Sequence, residues 1–281
     1  MQFGASTFIW ASPFGADSLD LIGKVKQLGF DLIEICIEDP ATIDTNAIGV
    51  ALNKHGVEAL VCGAFGPDRD MSAEDPVVRA NAARYLRTCI DIAAQLRSPT
   101  VSGPMYAGVG NTQMRNAASR RAQWQRSVDG LTPIADYAAE RGVKLAFEPL
   151  NRFETDLVNT VEQGLELIRG IGRSNVGFLL DTFHMNIEEK SIPNAIRRAG
   201  AHIFEFHACS SDRGTPGEDH LPWPQIVAAL AEVAYTGPVV IEAFTPKIKE
   251  IARAVSLWRL LAESEDALAS NGLAHLRLVF G

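Results

Sequence analysis

Residues 175–189 read NVGFLLDTFHMNIEE, an apolar run that stops at Asp181 and opens at once into a polar stretch. Three other segments repeat this arrangement. GVKLAFE ends on Glu148, HIFEFH on His207 and PVVIE on Glu242. A short apolar run that closes on one charged or imidazole side chain reads as a buried strand with a polar residue at its end.

Working outward, the same alternation covers the chain. Strand-like runs occupy 2–9, 31–37, 57–62, 99–103, 143–148, 175–181, 202–207 and 238–243. Helical spacing fills 17–28, 74–97, 115–141, 160–170, 222–234 and 246–270. In the first of these, Leu19, Ile22, Val25 and Leu28 fall on or near one face, with Asp17 placed to cap the start and Gly29 the end. Ser72 precedes 74–97 as a cap, with Pro76 in the first turn. Asn159-Thr160-Val161-Glu162 resembles a capping box, and Gly142 stops 115–141.

Eight strands alternating with about eight helices imply parallel strands joined by crossover helices. Eight units in 281 residues predict the α/β class and a single closed (β/α)8 barrel, with 1–281 as one catalytic domain. A doubly wound open sheet is the alternative, but no G-x-G-x-x-G follows the first strand. The irregular stretches 63–73, 103–114 and 208–221 follow strands 3, 4 and 7, so a barrel places them on its catalytic face.

Composition narrows the function. Lys plus Arg number 26 against 34 Asp plus Glu, a net charge of −8, and no basic run appears. A nucleic-acid partner is therefore not expected. Cys36, Cys62, Cys89 and Cys209 form no C-x-x-C pair and read as reduced thiols of a cytoplasmic protein. MQFGASTFIW carries no basic leader, and no apolar window approaches the ~18 residues of a membrane span, so neither a signal peptide nor a membrane partner is expected.

All strand C-termini of a barrel point to one face, so Glu148, Asp181, His207 and Glu242 would gather there. Three carboxylates and one imidazole suit Mn²⁺, Mg²⁺ or Co²⁺ better than a closed zinc site of thiolates and histidines. Other readings exist for each residue alone: a solvated loop glutamate, a helix-capping aspartate, a satisfied core histidine. Four of them on strand ends make the metal site a reading of equal standing.

The string Leu180-Asp181-Thr182-Phe183-His184-Met185-Asn186-Ile187-Glu188-Glu189 resembles the signature of the ketose 3-epimerases, which are xylose-isomerase-like TIM barrels acting on D-tagatose, D-allulose or L-ribulose. Glu148-Pro149-Leu150-Asn151-Arg152-Phe153-Glu154 is similar to that family's E-x-x-N-R-F-E stretch. Gly29-Phe30-Asp31-Leu32-Ile33-Glu34-Ile35 resembles its second strand, and Arg213, Pro216-Gly217-Glu218 and Leu221-Pro222-Trp223 its strand-7 loop.

The resemblance implies a divalent metal, Mn²⁺ first, held by Glu148, Asp181, His207 and Glu242. It implies that Glu148 and Glu242 also exchange protons with a monosaccharide substrate. Glu154, His184 and Arg213 would hold the ketose at its O1–O2 end. The implied reaction is epimerisation at C3: one carboxylate removes the proton beside the carbonyl, the metal stabilises the charge on O2, and the other carboxylate returns a proton to the opposite face. Strands 5 and 8 are about opposite in an eight-membered ring, which suits that division. A homodimer or homotetramer is also implied. In the last helical segment, Trp258 and Leu260-Leu261 are candidates for an interface and equally for packing within the barrel's own helix layer.

One departure concerns the strand-7 loop. The family often carries a glutamate three residues after its metal-binding histidine, where this chain has Ser210. Trp10, Cys62 and Phe65 are candidates for packing a sugar's tail. The glycine-rich 103–110 reads as a rim loop, and Lys247 and Lys249 as a solvated helix start, so a free sugar is expected over a sugar phosphate. The competing functions are an aldose–ketose isomerase of hydroxypyruvate or xylose type, an inosose-type dehydratase, and a non-catalytic sugar-binding protein.

Overall fold

The eight predicted strands form and close into one parallel ring. The computed structural model describes residues 1–113 and 115–281, so residue 114 of the predicted irregular stretch 103–114 lies outside the described residues. The strands are β1 (Phe3–Ser6), β2 (Leu32–Ile37), β3 (Glu58–Gly63), β4 (Thr100–Gly103), β5 (Lys144–Phe147), β6 (Val176–Asp181), β7 (Ile203–His207) and β8 (Val239–Ile241). They pair in sequence order, and β1 pairs in parallel with both β2 and β8, so no edge is left. The closed ring excludes the doubly wound alternative and establishes the (β/α)8 barrel.

Ten α-helices are described: α1 (Asp20–Gln27), α2 (Thr45–His55), α3 (Pro76–Leu96), α4 (Ala117–Ala139), α5 (Val161–Ile171), α6 (Thr182–Glu188), α7 (Ile192–Ala199), α8 (Trp223–Glu232), α9 (Lys249–Ala254) and α10 (Glu265–Phe280). The apolar faces of the helices other than α9 and the outward residues of the strands form one continuous core, while α9 packs in a smaller cluster with Phe8, Cys36, Cys62 and Phe244. Among the described residues no helix is long and apolar enough to cross a membrane.

Several local expectations are corrected. Asp17 does not cap α1: it sits in a separate turn of 3₁₀ helix, and Leu19 precedes α1 without a side-chain cap. Asp75, not Ser72, caps α3, because its carboxylate reaches the Val77 N–H at 2.8 Å. The capping box of α5 pairs Thr160 with Gln163 rather than Glu162. The predicted helix 246–270 is two helices, α9 and α10, separated by an irregular stretch that contains Trp258 and Leu260. Helices α2, α6 and α7 fall outside the predicted helical spans; α6 and α7 are short and lie in and just after the polar strand-6 signature.

Inside the ring, side chains alternate with the period of two that strands impose. Leu32, Leu60 and Val240 form an apolar plug. Above it, on the inward faces of β2, β4 and β7, Glu34, Ser102 and Glu205 form a fully buried polar layer. The site opens on top of this layer.

Gly103 ends β4 in the left-handed region, with φ of 112°. A Cβ there would stand 2.7 Å from the Gly63 carbonyl oxygen, a contact with backbone that cannot rotate away. The Gly103 carbonyl in turn accepts the Glu148 N–H at 3.2 Å. Gly103→Ala is expected to cost about 1–3 kcal/mol of stability. Chemical denaturation should show it as a lower midpoint, and an unchanged midpoint would contradict the close approach.

Candidate active site

Strand register brings the four strand-end residues together. Asp181 and His207 close β6 and β7 and are direct register partners. Glu148 and Glu242 are the first residues beyond β5 and β8. All four are buried. Ligand-type atoms of Asp181, His207, Cys209 and Glu242 lie within 4.8 Å of one another, and those of Glu148, Asp181 and His184 do the same. Asp181 belongs to both groups and links them.

His207 Nδ1 stands 3.7 Å from both Asp181 Oδ2 and Glu242 Oε2. Neither His207 Nδ1 nor Glu148 Oε1 has a hydrogen-bond partner, although both are buried. Buried polar atoms without partners are uncommon, and here they sit among carboxylates. Such a donor set fits a divalent cation of oxygen and imidazole preference.

Burial drives the Glu148 carboxyl well above the usual carboxylate range, and the nearby Glu242 and Asp181 charges add to the rise. Asp181 goes the other way. Burial alone would raise it, but the Arg213 guanidinium and His207 hold it well below its ordinary value. For His207, burial opposes the charged form, while Glu34 and the surrounding carboxylates outweigh it and raise the group.

Arg213 is the cation of the site. Its Nη1 donates to Asp181 Oδ2 at 2.8 Å and to Glu242 Oε2 at 2.7 Å. Its guanidinium carbon lies 4.1 Å from the centre of the Phe183 ring. The Arg213 backbone has φ of 68°, uncommon for a residue with a Cβ and typical of the strain held at functional loops.

His184, in α6, receives the Asn151 backbone N–H on Nδ1 at 3.0 Å, which leaves the proton of the neutral ring on Nε2. Nε2 stands 3.0 Å from Arg213 Nη2 and 3.4 Å from Glu148 Oε1. Burial, helped by Arg213, lowers His184 from 6.5 to about 4. Between those values the unfolded chain binds the extra proton and the folded one does not. His184 therefore makes the metal-free protein lose stability as the pH falls from 6.5 towards about 4. The thermal midpoint of His184→Asn should fall less over that window than that of the parent, and equal slopes would contradict the assignment.

A cavity of about 320 Å³ opens over these groups, and Asp181 and His207 are not among its lining residues. Glu148, Glu154, His184, Arg213 and Glu242 supply its polar lining. Phe8, Phe65, Phe244, Ile251 and Val255 are among its apolar walls. Glu154 is fixed by Asn151 Nδ2 at 2.8 Å. Cys62 and Phe65 line the cavity as expected, but Trp10 is not among its lining residues. Its indole N–H donates to Asp266 Oδ1 at 2.6 Å, which ties β1's loop to α10.

Ser210 does not leave the strand-7 loop without a carboxylate. Its hydroxyl donates to Asp212 Oδ1 at 3.0 Å, while Asp212 Oδ2 accepts from Arg259 at 3.0 Å. Asp212 thus anchors the loop to the stretch between α9 and α10. Lys249 begins α9, and Lys247 Nζ pairs with Glu265 at 2.6 Å. Trp258 and Leu260 are exposed.

Sequence reasoning passed over Cys209 and Glu34 as parts of the site. The Cys209 thiol lies 3.1 Å from Asp181 Oδ2 and 3.2 Å from Arg213 Nη1. Glu34 Oε1 lies 2.9 Å from His207 Nε2. The available signal for Glu34 was a lone charge within the otherwise apolar strand LIEICI.

Comparison with known proteins agrees with this arrangement. The family model for the xylose isomerase-like TIM barrel matches residues 22–277. A Synechocystis protein described as a probable ketose 3-epimerase is 35% identical over 100% of this chain and 97% of its own length. A D-psicose 3-epimerase of Agrobacterium fabrum is 33% identical with both chains fully covered. A solved L-ribulose 3-epimerase structure superposes with a TM-score of 0.94 at 32% identity, covering 99% of this chain and 94% of that one. The chain belongs to the xylose-isomerase-like TIM barrels and, within them, to the ketose 3-epimerases, a family of isomerases.

Proposed function

We propose that the whole chain, 1–281, acts as one catalytic domain that epimerises free ketoses at C3 with a bound divalent metal, Mn²⁺ first and Mg²⁺ or Co²⁺ as alternatives. The observation that carries this reading is the cavity's polar end. Two carboxylates from separate strands, Glu148 and Glu242, line one cavity beside Asp181 and His207. Relatives that match over the whole chain are described as acting on D-psicose or L-ribulose. The four free, buried cysteines suit a cytoplasmic protein.

Glu148, Asp181, His207 and Glu242 would hold the metal. When bound, the ion supplies Lewis-acid stabilisation of the negative charge that develops on the ketose O2. Glu148 and Glu242 move the C3 proton, one taking it and the other returning one from the opposite face. The rise of Glu148 above the usual carboxylate range is in the direction that favours a carboxyl taking up a proton. His184 Nε2 and Arg213 Nη2, 3.0 Å apart, stand together at the cavity's polar end, placed for the oxygens at the O1–O2 end. Glu154 accepts from a sugar hydroxyl at the same end. Apolar walls exclude water from the carbanion-like centre.

The test is a panel of free ketoses (D-fructose, D-tagatose, D-allulose, L-ribulose) incubated with the Mn²⁺-loaded protein and analysed for products. C3 epimers without aldose are expected. Aldose as the main product would move the reading to an aldose–ketose isomerase, and a dehydrated product to an inosose-type dehydratase. Saturable sugar binding without turnover would leave a sugar-binding protein.

A further inference from the structure

We propose that Glu34 is a positioning residue: from the floor of the barrel it holds the His207 ring so that Nδ1 faces the site. The inference rests on the reading of His207 as a metal ligand. Glu34 lies midway along β2, fully buried, with its side chain on the ring's inward face together with Cys36. Its Oε1 is 2.9 Å from His207 Nε2, and no other contact of that ring edge is as short. An ionised carboxylate can only accept, so in the neutral, metal-binding form of the ring Nε2 carries the hydrogen and Nδ1 keeps its lone pair. Nδ1 is the atom 3.7 Å from both Asp181 and Glu242, and it has no hydrogen bond. The direction of the imidazole lone pair is therefore set from beneath, by a residue that lines no part of the cavity.

Glu34 is itself held. Ser102 Oγ on β4 reaches Oε1 at 3.5 Å, and the Cys36 thiol approaches Oε2 at 3.9 Å. A second buried carboxylate, Glu205, provides an internal control. It stands 3.7 Å from the same Nε2 and is occupied by Thr100, whose hydroxyl donates to its Oε2 at 3.0 Å. Both residues bring an acidic side chain to the same layer, but only Glu34 makes the short contact. If the layer acted through charge alone, removing either would have similar consequences. If orientation is what counts, Glu34 dominates.

The outer partner of a metal-bound histidine typically changes metal affinity by about 10–100-fold when removed. The experiment titrates metal-free protein with Mn²⁺ and reads free ion by electron paramagnetic resonance. The proteins compared are the parent, Glu34→Ala, Glu34→Gln, Glu205→Gln and His207→Ala. We expect one bound ion in the parent, a Kd raised about 10–100-fold in Glu34→Ala, and a change of less than about 3-fold in Glu205→Gln. ¹⁵N NMR of the imidazoles in metal-free protein, at a pH high enough for the ring to be neutral, should show the Nε2–H form of His207 in the parent and its loss in Glu34→Ala. If Glu34→Ala does not fold, Glu34→Gln carries both readouts, and mixed tautomers are expected because the amide can present either atom. Parent-like affinity and tautomer in the Glu34 variants, with affinity lost in His207→Ala, would overturn the positioning role alone. Parent-like affinity in His207→Ala would overturn the ligand reading itself.

Discussion

Glu242→Gln is expected to lower kcat for C3 epimerisation by roughly 10³-fold or more, within reach of what one general base or acid contributes, with loss of a ligand charge added. The substitution keeps size and one carbonyl oxygen, so the Asp181–His207 part of the cluster persists. Weakened but measurable metal binding should therefore accompany the loss of turnover. A two-base mechanism makes a sharper demand. The remaining Glu148 can still remove the C3 proton from one epimer and return it to the same face. The variant should thus exchange that proton with solvent in one epimer only, and Glu148→Gln should do so in the other. Equal exchange from both epimers, or turnover near the parent's, would contradict the division of labour.

Metal removal should have the second largest effect. Dialysis against a chelator is expected to abolish epimerisation, and Mn²⁺ should restore it. The same treatment should lower the thermal midpoint. An ion at about 100 times its Kd stabilises the folded state by about 2.7 kcal/mol, which for a chain of this size corresponds to several degrees. Glu148, Asp181 and Glu242 crowd together in a buried space where Arg213 bridges two of them, so a cation relieves their mutual repulsion. Activity that survives complete chelation would remove the metal from the account.

Much of this was legible because the barrel converts one-dimensional pattern into place. A strand that ends on Asp181 or His207 puts that residue on the catalytic face whatever the helices do, since all strands are parallel. Short motifs carried Glu154, His184 and Arg213 into the same cavity. What escaped was set by tertiary contact. Glu34 reads as a blemish in an apolar strand until β7 brings His207 across the barrel to it. Trp10 reads as a pocket aromatic until α10 supplies Asp266. Ser72 and Asp75 are both acceptable caps, and only the backbone path chooses Asp75. The stretch 246–270 has helical composition throughout, yet Arg259 is drawn to Asp212 within the irregular part that separates α9 from α10.

The central claim is that two carboxylates work on C3. Incubation of a ketose substrate with Mn²⁺-loaded protein in D₂O, followed by NMR of the sugars, tests it most directly. The account predicts deuterium at C3 of the product epimer, entering with turnover, and no aldose. Deuterium confined to C1, with aldose accumulating, would contradict it.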